Sequence, residues 1–134
     1  MLRGRSSGSV QITWVDLPAL LAALHERAER LCRERPEIEE ILLFGSFARG
    51  DFTPESDVDL LVIVERSDTP FLLRADPYRD VFADLPFDVF PVVYTRGEVD
   101  QMQRQGNGFL RSALEHTIPL YQRPTGLVWK KGGA

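Results

Sequence analysis

Asp57 and Asp59 stand two residues apart at the start of a run of five aliphatic residues, Leu60-Leu61-Val62-Ile63-Val64. In an extended strand, such positions project to the same side, ~6.6 Å apart along the chain. Two carboxylates brought together at the end of an apolar strand repel one another. At ~5 Å and an effective dielectric of ~20 the cost is on the order of 3 kcal/mol. Water, protonation of one acid, or a divalent cation relieves it. A ligand set of oxygens, without His or Cys, suits Mg2+ or Mn2+. Mg2+ typically takes one or two carboxylates and completes its shell with water and substrate phosphates. A two-metal centre, with ions ~3.5–4 Å apart, would stabilise the attacking and leaving oxygens of a phosphoryl-type displacement.

Gly45-Ser46 precedes this pair by ten residues and follows the apolar run Ile41-Leu42-Leu43-Phe44. The glycine allows close backbone approach, and the amides around Ser46 and Phe47 would open a helical turn. Such amides with a hydroxyl form an anion site. Ser46 would hydrogen-bond terminal phosphates, with Arg49 about one turn on to neutralise them. Each part alone has a bland reading. Gly-Ser after a strand is commonly just a turn, Asp-x-Asp a solvated strand end, and Arg49 an exposed side chain. Their order and spacing together favour phosphate and metal chemistry.

Residues 16–35 place Leu17, Leu20, Leu21, Leu24, Ala28 and Leu31 at helical spacing. Asp16 is a fitting N-cap, Pro18 lies in the first turn, and Pro36 ends the helix. Strands are predicted at 41–44, 58–64 and 87–94. The second is covered on both faces except at its two acids, and Pro91 puts the third at an edge or a bulge. Residues 70–84 should be helical with a break near Pro77. A short helix over 96–105, a helix capped by Asn107 with Phe109, Leu110, Ala113 and Leu114 on one face, and a strand at 118–122 complete the pattern. Residues 1–12 are expected to be disordered, and 123–134 read as a tail in which Trp129 is an anchor and Lys130 and Lys131 are solvated.

The chain of 134 residues fits a single domain over 1–134. Its net charge of -4 argues against a template-using nucleic-acid polymerase, whose affinity would rest on clustered cations. One nucleotide held through metal ions is compatible with that charge. Cys32 is the one cysteine, which excludes an intramolecular disulfide and favours a reducing, cytoplasmic setting; it reads as a small buried hydrophobe. Ser6 to Ser9 follow Arg3 and Arg5 where a signal peptide would be apolar. No apolar run is long enough for a membrane span. His25 reads as exposed, His116 as a helix-end residue, Asp51 as a loop acid and Glu98 as a first-turn helix acid.

The segment GSFARGDFTPESDVDLLVIV closely resembles the minimal nucleotidyltransferase (MNT) group of the DNA polymerase beta-like nucleotidyltransferase superfamily. Softer similarity continues through LPFDVFPVVYTRGEV and GNGFLRSALEHTIPLYQR, covering roughly residues 16–123. The resemblance implies an α/β (α+β) palm-like fold, a small mixed sheet with flanking helices. It implies transfer of a nucleoside monophosphate from a triphosphate, with ATP the leading donor, to a hydroxyl, using Mg2+ or Mn2+. By position, Asp57 and Asp59 take the metal-ligand and catalytic roles, and Gly45 and Ser46 the triphosphate role. The family's third carboxylate lies on the neighbouring strand, where Asp88 is the candidate metal ligand and proton acceptor. The family pattern would put that acid nearer the strand's end, at Phe90. The resemblance also implies a helical HEPN-type protein partner in a toxin–antitoxin pair. Two other readings are a catalytically inactive module that sequesters a partner, and a free-standing enzyme acting on a small-molecule alcohol.

Overall fold

The computed structural model describes residues 3–5 and 13–124. Its elements are β1 (Arg3–Arg5), β2 (Thr13–Val15), α1 (Leu17–Glu34), β3 (Ile38–Phe44), α2 (Ser46–Arg49), β4 (Val58–Val64), α3 (Asp76–Arg79), β5 (Val89–Thr95), α4 (Arg96–Arg104), α5 (Gly108–Glu115) and β6 (Ile118–Gln122). Four strands form a mixed sheet in the order β5-β4-β3-β6. β3 is antiparallel to β4 and β6, and β4 is parallel to β5. This is the small mixed sheet with flanking helices that the family resemblance implies.

The two faces of β4 divide the core. Val58, Leu60, Val62 and Val64 join Leu20, Leu24, Ala28 and Leu31 of α1 in one cluster. Leu61 and Ile63 join Val99 of α4 and Leu110 and Ala113 of α5 in the other. By the two-residue period, Asp59 belongs to the second face, under α5. β4 sits between two neighbours, so its backbone bonds are satisfied on both sides and its aliphatic run is buried on both faces. The edge strands β5 and β6 each contain a proline, Pro91 and Pro119, where a missing N–H costs no ladder bond on the open side.

α1 starts as its sequence dictates. Asp16 accepts from the Ala19 amide at 3.0 Å, and Pro18 occupies the first turn. Residues 70–84 are more broken than the expected interrupted helix. They form a 3-10 turn at Phe71–Leu73, the single turn α3, and a second 3-10 turn at Asp80–Phe82. Asn107 caps α5 through the Leu110 amide at 2.9 Å. Cys32 is buried, and burial, with the nearby Glu37 charge, pushes its thiol up to about 12. His25 is exposed as expected, with its Nδ1 3.2 Å from the Leu120 carbonyl. No helix among the described residues is long and apolar enough to cross a membrane.

The expected disorder over residues 1–12 fails at one place: Arg3–Arg5 pairs antiparallel with Thr13–Val15, so backbone pairing holds these three residues. Residues 6–12, and the predicted roles of Trp129, Lys130 and Lys131, lie outside the described residues.

Arg74 is 9% exposed and ties the broken crossover to the end of β5. Its Nε donates to the Thr69 carbonyl at 2.8 Å, and Nη1 and Nη2 donate to the two oxygens of Glu98 at 2.6 and 3.1 Å. Glu98 also completes a capping box with Thr95. The arginine's hydrogen bonds hold the Glu98 carboxyl below the usual glutamate range. A lowered folded-state value means stability that is fully present above the ordinary Glu pKa of ~4.3 and lost as pH falls through the lowered value. Glu98→Ala, which strands the guanidinium, should therefore cost about 1–3 kcal/mol at neutral pH. Denaturant titrations across an acid series should show that difference shrinking below pH ~4.

Candidate active site

Phe44 ends β3 opposite Asp59 of β4. The next residue, Gly45, adopts φ 77° and ψ -155°, a backbone region essentially reserved for glycine. A Cβ there would overlap Oδ2 of Asp59 and fall 3.1 Å from its Cγ and 3.3 Å from its Cβ. The Asp59 carboxyl is thus pressed against the Gly45 backbone. Two separate requirements, conformation and space, fix this residue as glycine.

The chain then makes the single turn α2. The Ala48 and Arg49 amides donate to the Gly45 carbonyl at 3.1 and 3.0 Å, and the Gly50 amide donates to the Ser46 carbonyl at 2.9 Å. The earlier amides, of Ser46 and Phe47, are not drawn into these bonds. Phe47, 1% exposed, anchors the turn from beneath. It stacks on Phe52 at 4.9 Å and meets the Phe87 ring edge-on at 5.4 Å. With Phe47 fixed in the core, Ser46 is half-buried and lines the same cleft as Asp59.

Gly45, Ser46, Arg49, Asp57 and Asp59 line one cleft of about 440 Å3. Five of the six predicted site residues are therefore together. The Asp59 carboxyl is raised above the usual carboxylate range, mainly by burial and then by the Asp57 charge, with Arg49 opposing the shift. Arg49 is not aimed only at the cleft: its Nε donates to Asp51 at 3.2 Å on the exposed surface. The loop acid Asp51 thus has a partner that its position in sequence does not reveal.

Asp88 is placed differently. It lies just before β5, and its carbonyl accepts from the Val58 amide at 2.9 Å. The parallel register pairs Val58 with Val89 and Asp59 with Phe90. The exposed Asp88 side chain lines a second cleft, with Arg79, Phe82 and Phe90. Phe90, not an acid, is the cross-strand neighbour of Asp59. Among the described residues, no group of three or more His, Cys, Asp or Glu side chains is placed to hold a metal ion.

The cleft has further walls that motif spacing did not single out. Glu55 and Ser56 contribute from the loop, and Phe109, Ser112 and Ala113 from α5. Phe109 was legible only as one of four apolar residues on a helix face. Nothing in its spacing distinguishes a core residue from one at the rim of a cleft. The donor chemistry fits a hard divalent cation. Asp57 and Asp59 bring two carboxylates to the cleft, a donor set that could hold such an ion in part.

Gly45→Ala should cost at least about 2 kcal/mol from backbone strain alone, with the Asp59 overlap added. Adding Asp59→Ala should recover the overlap portion only, measurable as a coupling in a double-mutant cycle. Asp59→Asn alone should stabilise the metal-free protein by on the order of 1 kcal/mol, first by removing the cost of burying a charge and then by removing repulsion from Asp57. The raised folded-state value means that Asp59 destabilises fully above it. The Asn gain should therefore be complete above that value and fade as pH falls toward the ordinary Asp pKa of ~3.9.

The chain is similar to known proteins. The model of the family described as "Nucleotidyltransferase domain" matches residues 24–118. A proposed protein adenylyltransferase of Methanocaldococcus jannaschii is 59% identical over 29 residues, which is 22% of this chain and 29% of that relative. The match thus spans less than a third of the relative's length. The crystal structure of a proposed nucleotidyltransferase of Sulfolobus solfataricus aligns over 80% of this chain and 84% of its own, with TM-score 0.58 and 22% identity. A toxin–antitoxin crystallised with AMP-PNP aligns over 74% of this chain and 73% of its own, with TM-score 0.53 and 21% identity. The structural likenesses share the fold, and the family match spans the Gly-Ser turn, both aspartates and the sheet that positions them; the chain belongs to the nucleotidyltransferase domain family.

Proposed function

We propose that this chain transfers AMP from ATP to a hydroxyl on a partner protein, with Mg2+ or Mn2+ bound together with the triphosphate. The observation that carries this reading is the meeting of the Ser46 turn with Asp57 and Asp59 in one cleft. In the proposed reaction, the acceptor oxygen attacks the α-phosphorus. The bond from that phosphorus to the bridging oxygen breaks, pyrophosphate leaves, and the hydroxyl proton passes to a carboxylate or to water. Ser46 and its neighbouring amides hold phosphate oxygens, and Arg49 balances their charge. Asp57 and Asp59 would hold the divalent ion, whose chemistry is to neutralise charge on the triphosphate and on the leaving group. Asp88, which lines a separate cleft, is assigned on the family resemblance the lesser part of taking the acceptor proton.

A protein acceptor is supported by the likeness to a proposed protein adenylyltransferase. A helical HEPN-type partner is supported by the resemblance of the GSFARGDFTPESDVDLLVIV segment to the MNT group. Phe90 favours a second reading, in which the fold is kept as a non-catalytic binding module. This residue is 46% exposed and stands beside Asp59 where the family pattern would have an acid.

Incubation of the purified chain with α-labelled ATP, Mg2+ and a HEPN-type protein encoded beside it should move label onto that protein and release pyrophosphate. Asp57→Asn and Asp59→Asn should each slow transfer by about 100-fold or more, the scale of losing a charge-stabilising group. Asp88→Asn should cost less than either, and chelation of the divalent ion should stop the reaction. Absence of transfer, with equal partner binding by the parent and the double Asn variant, would overturn the enzyme reading in favour of the binding module. Pyrophosphate release that needs an added small alcohol and no protein would overturn the protein acceptor.

A further inference from the structure

We propose that Phe109 is the platform on which the nucleobase stacks, so that the first turn of α5 forms the base subsite. This rests on the nucleotide reading given above and names the part of the cleft that reading leaves unassigned. The cleft has two unlike walls. The sheet end and α2 present Ser46, Asp57, Asp59 and Arg49, all polar and suited to phosphates and cation. α5 presents the aromatic Phe109 and the small Ala113 beside the polar Ser112, and Phe44 joins Phe109 from the end of β3. Nucleotides carry the same division, a charged tail and a flat apolar-faced base.

Phe109 is 44% exposed, although its neighbours Leu110 and Ala113 are buried under the sheet. At the rim of a polar cleft this ring leaves part of its apolar surface in water in the free protein. It is also held in position. The Phe44 ring lies 5.8 Å away at an interplanar angle of 85°, and the Tyr94 ring 6.4 Å away at 47°. The Asn107 cap and the burial of Leu110 fix the turn that carries it. A fixed ring offers stacking without the entropy loss of ordering a mobile one. Phe44 directly precedes Gly45, so the ring that supports Phe109 is continuous with the proposed phosphate turn. Stacking on one ring is tolerant of base identity, because every base has a π-face. This accounts for a site with no base-specific motif.

Calorimetric titration of the full chain with ATP and, separately, with inorganic tripolyphosphate, both with Mg2+, tests the assignment. Phe109→Ala should weaken ATP about 10-fold, and GTP similarly, while tripolyphosphate binding stays within about twofold. Phe109→Trp should restore ATP binding and Phe109→Leu should not, with thermal melts confirming that each variant is folded. Unchanged ATP binding by Phe109→Ala, equal loss of both ligands, or full rescue by Leu would each overturn the stacking role and leave the nucleotide reading in place. Failure of the parent chain to bind either ligand would overturn the nucleotide reading, and the base subsite with it.

Discussion

A carboxylate pressed against a glycine backbone is the constraint around which this molecule is organised. Asp59 sits where a Gly45 side chain would begin. Its position is inherited from β4, whose alternate residues are committed to two different cores. Slipping β4 by one residue would exchange those faces, send Asp59 toward α1 and place an aliphatic residue at the cleft. The cost of unburying the aliphatic run thus fixes where two acids point. The neighbouring turn is fixed independently, by Phe47 beneath it and by a backbone angle that only glycine tolerates. Two rigid elements, each set by its own packing, meet at the cleft.

The price of that meeting is electrostatic. Burial and the Asp57 charge both disfavour ionised Asp59, and the nearest cation, Arg49, is shared with Asp51. Elsewhere the fold pairs its charges closely. Arg74 lies on Glu98, Arg96 bridges Glu39 and Glu40, and Arg123 meets Glu65. At the cleft, burial and like charge act together on Asp59, and the divalent ion of the proposed reaction would relieve both.

Strong local patterns made most of this architecture legible in the sequence. The α1 stripe, its Asp16 cap, the aliphatic β4 and the edge-marking Pro91 each carry their signal within a few residues. Local pattern also brought Gly45, Ser46, Asp57 and Asp59 to one place, because a short connection between adjacent strands must return close to where it left. What escaped depends on pairing between distant segments. Arg74 and Glu98 meet across a crossover that neither residue's neighbours encode. The pairing of Arg3–Arg5 with Thr13–Val15 overrode a composition typical of disorder. The α5 wall escaped because helix periodicity says which residues share a face and not where that face ends.

Register explains why the site is lopsided. The parallel β4–β5 ladder sets Phe90 beside Asp59 and leaves Asp88 before the ladder begins, facing another cleft. The acids lining the cleft are therefore Asp59 on β4, Asp57 just before it and Glu55 of the preceding loop, with α5 supplying a further wall. Two carboxylates leave most of a hard cation's coordination shell to water and phosphate oxygens. A cation and a triphosphate would then each complete the other's site, so their binding should be coupled, each tightening the other by the same factor. In the proposed reaction, with Phe90 rather than an acid beside Asp59, most of the burden of holding the ion would fall on the nucleotide.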